Sequence, residues 1–239
     1  MRRILKILLK IVLGVLILGL VAFGIIYAIY NEKLPEGRSG PEADALAENM
    51  LATLNYKQYQ NTRFLEWSYQ GGKNKYKWDK ENGSVVVKWD NYEVKVDLIA
   101  PESSLAFKNG ERLNENENQD IVEKAIDYFN NDSFWLVAPY KVFDKGALRS
   151  IVALEDGSEA LLVTYTSGGT TPGDSYLWIL QPNGFPKSFK MWVKIIPIGG
   201  LEATWDDWLV TRSGAFLPKS HEFGPFTLSL GDVEGYNNP

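Results

Sequence analysis

The chain contains no cysteine, a single histidine, and no acidic residue before position 32. Each absence removes a class of chemistry. Without thiols there is no disulfide framework, no thiolate nucleophile, no cysteine-ligated zinc and no cysteine for a lipoprotein-type anchor. With His221 alone, His-His metal motifs are excluded and a single imidazole base remains. A G-x-S-x-G elbow is also missing, which leaves a Ser-His-Asp constellation without its usual nucleophile turn. The charge balance, 30 Asp+Glu against 25 Lys+Arg, argues against nucleic acid as a partner, because that affinity comes mainly from bases neutralising phosphates. The body is more acidic still, since Arg2, Arg3, Lys6 and Lys10 all precede the first acid.

What is present begins with a hydrophobic run. Residues 11–30, IVLGVLILGLVAFGIIYAIY, form an uncharged stretch of 20 residues. As a helix it rises roughly 30 Å, the thickness of a bilayer's hydrocarbon core. It exceeds the apolar region of a cleaved signal peptide, and Ala28-Ile29-Tyr30-Asn31 offers no small-x-small site. An uncleaved anchor over residues 1–30 is therefore expected. Four bases precede the run, and only Lys33 and Arg38 follow closely, which predicts a cytoplasmic start and an exported body. The implied location is a single pass of the cytoplasmic (inner) membrane, with the C-terminal domain periplasmic or extracellular. Gly14, Gly19 and Gly24 recur every five residues and so do not form a G-x-x-x-G face.

Residues 31–40, NEKLPEGRSG, read as a polar linker, and residues 41–239 as the exported domain. Ser39 and Glu42 have capping-box spacing around Pro41, and Leu46, Met50, Leu51 and Leu54 then share a helix face. A second helix is predicted at residues 119–130, where Ile121, Val122, Ala125, Ile126 and Phe129 repeat with helical period. Between them lies a meander. Leu65, Trp67 and Tyr69 share one strand face, as do Tyr76 and Trp78, then Val85, Val87 and Trp89, then Tyr92, Val94, Val96 and Leu98. Alternate positions such as Lys75, Lys77, Lys88, Glu93 and Lys95 are charged, and Gly71-Gly72, Asn82-Gly83, Asp90-Asn91 and Asn109-Gly110 supply turns. Further strands are predicted at residues 148–154, 160–166, 175–180, 188–196, 201–211 and 226–230. The fold class is mainly β within α+β. It is a strongly curved antiparallel sheet or an unclosed β-barrel, covered by helices and preceded by one transmembrane helix.

Aromatics make up 13% of the chain, and many fall on the inward strand faces, where they fill a curved sheet or line a cavity. Trp67, Tyr76, Trp78, Trp89 and Tyr92 are the candidate cavity wall, with the two helices as lids. The block at residues 132–144 either packs the second helix onto the sheet or puts Phe134, Trp135 and Tyr140 at the cavity rim.

This order of elements resembles the outer-membrane lipoprotein carrier (LolA-like) superfamily over residues 41–235. The segment NDSFWLVAPYKVFD, residues 131–144, is similar to one found in uncharacterised bacterial members. The resemblance implies an unclosed barrel with helices over its open side and an apolar interior that receives acyl chains or lipids. It implies no chemistry. The chain departs from the soluble carriers by keeping a membrane span, and no carrier residue of known role maps onto it.

Other patterns carry less. Gly168 and Gly173 have phosphate-loop spacing, but Asp174 stands where lysine is needed, so a hairpin loop is expected. Asn114, Asn116 and Asn118 imitate calcium-ligand alternation, yet Gln119 and Ala125 occupy the glycine and glutamate positions. Asp206 and Asp207 sit between Trp205 and Trp208, but adjacent strand residues point to opposite faces and cannot form one catalytic pair. His221, placed between strands, reads as structural or exposed. The sequence thus points to a membrane-anchored binding domain for lipid or another apolar ligand, with no metal, no cofactor and no catalysis. The alternative is an interaction or sensing module with a filled core and an envelope protein partner.

Overall fold

The computed structural model describes residues 2–168 and 171–238, with side chains from residue 6 onward. Helix α1 (Arg2–Tyr30) is exposed along its described length. Its segment Lys6–Tyr30, of mean hydropathy 2.8, is long and apolar enough to cross a membrane. The body is α+β, with two large antiparallel sheets that do not close on themselves.

The first sheet follows from strict alternation. Strands β1 (Phe64–Tyr69), β2 (Asn74–Asp79), β3 (Ser84–Trp89) and β4 (Tyr92–Asp97) form a meander, continued by β5 (Leu105–Lys108) and β6 (Glu111–Arg112). Its register puts Trp67 opposite Tyr76, Tyr76 opposite Val87, Val87 opposite Val94, and Trp78 opposite Val85. Apolar positions thereby stack across the strands on one face, while Lys75, Lys77, Lys88 and Lys95 are exposed.

Three helices cover the inner faces. Helix α2 (Pro41–Thr53) buries Ala43, Ala47, Met50 and Leu51. Ser39 does not cap it: Gly40 is the N-cap, without a side-chain bond. Helix α3 (Tyr56–Asn61) is a single-turn extension that the sequence pattern does not announce. Helix α4 (Glu115–Val137) is longer than the periodic stretch at 119–130. Asn114 caps its start by accepting from Glu117 N–H at 3.1 Å. The seven residues after 130 stay helical because Ser133, Leu136 and Val137 bury against the second sheet's side of the core.

That second sheet comprises β7 (Ala147–Ala153), β8 (Glu159–Tyr165), β9 (Ser175–Leu180), β10 (Pro186–Trp192), β11 (Leu201–Thr204), β12 (Asp207–Val210), β13 (Phe216–Phe223) and β14 (Phe226–Ser229). The predicted strand at 201–211 is two strands, separated at Trp205 and Asp206. The chain then leaves the sheet through Leu230, whose N–H bonds Lys219 O, and β15 (Gly231–Tyr236) pairs with β1. One C-terminal segment thus joins both sheets. Strands β13 and β15 were not anticipated, because polar residues such as Lys219, Ser220, Glu222, Asp232 and Glu234 mask their alternation.

The second sheet is apolar on both faces. Leu161, Tyr176, Trp178, Phe189 and Met191 point into the main core, while Val152, Ala160, Leu162 and Leu177 form a separate buried cluster on the opposite face. Residues 31–38, read from sequence as a linker, run along that outer face. Glu32 N–H donates to Gly199 O at 2.9 Å, Trp192 Nε1 donates to Glu32 O at 2.9 Å, Lys190 pairs with Glu32 at 2.7 Å, and Arg38 exchanges backbone bonds with Ile151. A hollow of about 210 Å³ remains between this strap and Leu154, Leu177, Ile179 and Trp192.

Candidate functional site

The five candidate wall residues divide. Trp67, Tyr76 and Trp89 are at most 3% exposed and lie beneath α4. Trp67 stacks on Tyr76 at 4.6 Å and meets Phe129; Trp89 stacks on Tyr92 at 5.3 Å and takes the edge of Tyr128. These four fill a core instead of lining an open cavity, because one face of α4 supplies Phe129 and Tyr128 against them. Trp78, half-buried with its ring edge-on to Phe129, is the member that reaches open space.

That space is a cleft of about 480 Å³ between the C-terminal half of α4 and one end of the second sheet. Its walls are largely apolar: Phe134 and Trp135 from α4, Tyr165, Tyr176 and Met191 from the strands, and Val193, Ile195 and Ile196 from the β10–β11 loop. Two of the three candidate rim residues, Phe134 and Trp135, therefore line it. Tyr140 does not. Its ring stacks on Tyr59 at 3.9 Å and its hydroxyl reaches Phe216 O at 2.5 Å, tying α3 to β13. Sequence reasoning missed Tyr165, Tyr176 and the 193–196 loop. The signal available was the apolar segment VKIIPIGG, residues 193–200, of which the predicted strand at 188–196 takes in the first four.

Polar groups edge the cleft. Lys141 pairs with Asp144. Asp174, 4% exposed, accepts from Lys194 N–H at 3.0 Å and from the Thr171 hydroxyl at 2.5 Å, which pins the β8–β9 loop to the β10–β11 loop. Residues 169 and 170 of the expected hairpin loop lie outside the described residues. The Tyr165 hydroxyl is buried without a hydrogen-bond partner among the described residues, and burial, then the nearby Asp144 charge, pushes its pKa well up.

Two buried polar groups hold α4 in place behind the cleft. Asp132, 1% exposed, accepts from Asn74 Nδ2 at 2.9 Å, from the Tyr76 hydroxyl, and from Asn131 Nδ2 at 2.8 Å. Burial raises its pKa against the lowering effect of these donors. His221, fully buried inside β13, sets Nδ1 at 2.7 Å from Thr204 O and Nε2 at 2.8 Å from Trp135 O, between the rings of Trp135 and Trp205. It lies within a strand, not between strands. Burial lowers its pKa, opposed by both carbonyls and by Asp206 and Asp207. Its contacts make it a link between α4, β11 and β13.

The remaining motifs have structural partners. Asn118 bridges Ser104 O and Ala106 N–H, so Asn114 and Asn118 organise the start of α4. Asp207 accepts from Ser220 Oγ at 2.7 Å and pairs with Lys219, and its pKa falls accordingly, while Asp206 is exposed. Among the described residues, no group of three or more His, Asp or Glu is arranged to hold a metal. No protein-family model matches the chain, and no curated protein matches it in sequence.

Proposed function

We propose that this is a single-pass membrane protein, with its start in the cytoplasm and its body outside the cytoplasmic membrane, that holds a lipid or another apolar ligand in the cleft and catalyses no reaction. The observation carrying this reading is an aromatic-walled hollow of about 480 Å³ beside the main core. Small-molecule sites occupy roughly 300–1,000 Å³ and are mostly apolar with a few polar groups. Each methylene buried there contributes on the order of 0.8 kcal/mol, so an acyl chain binds without a charged anchor. The resemblance to lipoprotein carriers points the same way.

The test is native mass spectrometry of the full chain purified from membranes, with extraction and identification of bound lipid. Val193→Trp, which fills the cleft from a half-buried loop position, should lower lipid retention severalfold and leave the melting temperature close to that of the wild type. A wild-type protein that retains no lipid would sink the proposal. That result would favour the second reading, an envelope interaction module, which draws on the tight packing of Trp67, Trp178 and Trp205.

A further inference from the structure

The helix that can cross the membrane and the cleft meet at the same end of the second sheet. Asn31 N–H still bonds Tyr27 O at 2.9 Å, so helical bonding reaches it, and its Oδ1 accepts from Gly199 N–H at 2.9 Å. Glu32 N–H then bonds Gly199 O at 2.9 Å. No free tether separates helix from sheet. Whatever the tilt of α1, Gly199 stays within two residues of chain, roughly 7 Å, of the end of the span. The glycine pair makes this latch fit: a Cβ at Gly199 would sit 2.9 Å from Glu32 O, and one at Gly200, where φ is +81°, would sit 2.6 Å from the Glu32 side chain.

The loop that ends in this latch is Val193-Lys194-Ile195-Ile196-Pro197-Ile198-Gly199-Gly200. Ile195 is 70% exposed, Pro197 is also exposed, and the segment carries no acid. The same loop lines the cleft through Val193, Ile195 and Ile196. The register places its neighbours. Ala147 pairs with Tyr165, Thr164 with Ser175, Ser175 with Trp192, and Met191 with Leu201, so the 141–146, 166–174 and 193–200 connections share one end of the sheet. Those three connections supply Lys141, Lys145, Thr171 and the isoleucines of the cleft.

We infer that the 193–200 loop is a membrane-docking surface, which seats Ile195 in the interfacial layer of the bilayer that α1 spans and opens the cleft to that bilayer. Exposed apolar side chains beside a span partition into the interface, while Lys194 keeps its charged end among headgroups. The docking stands on the latch and the loop. That the cleft takes its ligand from this bilayer rests on the lipid-binding reading above.

The chain's lack of cysteine makes the test clean. Full-length Ile195→Cys carries a polarity-sensitive bimane in vesicles of phosphatidylcholine and phosphatidylglycerol, with spin-labelled lipid as quencher. Asn183→Cys, in the turn at the opposite end of β10, is the control. Quenching at 195 should exceed that at 183 severalfold, and Pro197→Cys should repeat the result. Equal, weak quenching at all three positions overturns the inference. Pro197→Asp, exposed on the same loop and outside the cleft lining, should slow uptake of a fluorescent fatty acid from vesicles severalfold while leaving lipid retention in detergent unchanged. Unchanged uptake by a chain that retains lipid overturns the loading route, whereas a chain that retains none in detergent fails the binding proposal and leaves the quenching to judge the docking.

Discussion

The two sheets are built from similar strands and meet different fates. In the first, charged residues such as Lys75, Lys77, Lys88, Glu93 and Lys95 dominate the outward face and α4 packs on the inward face with Phe129 and Tyr128. In the second, both faces are apolar, so one covering element is not enough. The strap at residues 31–38 covers the outer face, while on the inner face α2 packs on β7 and β8 and the C-terminal half of α4 lies towards the other end of the strands. Between that half of α4 and the strand ends the aromatic wall stays open as the cleft. A cavity thus forms where the covering helix and the strand ends do not close on each other.

Substitutions on α4 should expose this difference most strongly. Phe129→Ala empties a position wedged between Trp67 and Trp78 and should cost about 3–5 kcal/mol in urea unfolding. Phe134→Ala, facing the cleft, should cost only about 1–2 kcal/mol, because part of its surface is already free. Equal losses would erase the distinction between sealed and open ends.

Next in size is the strap. A fragment beginning at Arg38 lacks the Glu32 and Asn31 bonds to Gly199 and the Trp192 bond to Glu32, and should be about 2–4 kcal/mol less stable than one beginning at Asn31. It should also aggregate more readily through Ile179 and Trp192. Matching denaturation curves would return residues 31–37 to the status of a passive linker.

His221→Phe removes the ring nitrogens that sit against the Thr204 and Trp135 carbonyls, so the ring N–H bond between them is lost, for about 1–3 kcal/mol. Asp132 should give a pH signature. A raised folded pKa means that the folded state disfavours the charged carboxylate. Stability is therefore highest below the unfolded value of about 4 and falls as pH rises through the folded value. Asp132→Asn should flatten that fall, as read from melting temperature against pH. Smallest of all, Lys75→Ala on the first sheet's charged face should stay within about 0.5 kcal/mol of the wild type.

The first sheet was legible because its signal is local. The four meander strands were read directly from Leu65 to Leu98, since apolar and charged residues alternate and turn dipeptides separate them. Strands β13 and β15 were not, because each contributes few apolar positions and takes its place through partners far along the chain. The same reason hid half of the site. Phe134 and Trp135 stand out as aromatics in an unusual block, whereas Tyr165, Tyr176 and Ile196 are ordinary strand and loop residues until register brings them to one end.

Composition and periodicity by themselves determined the apolar helix, the α+β class, the antiparallel order and the inward placement of the aromatics, because each depends on neighbours a few residues apart. Tertiary structure alone decided which aromatics are sealed and which face open space, since that depends on how the C-terminal half of α4 lies against strands and loops tens of residues away. It also decided that residues 31–38 are a strap. A polar, proline-containing segment carries no mark of the sheet it will lie against, and the marks that matter, Gly199 and Gly200, sit far along the chain, where only folding brings them to Glu32.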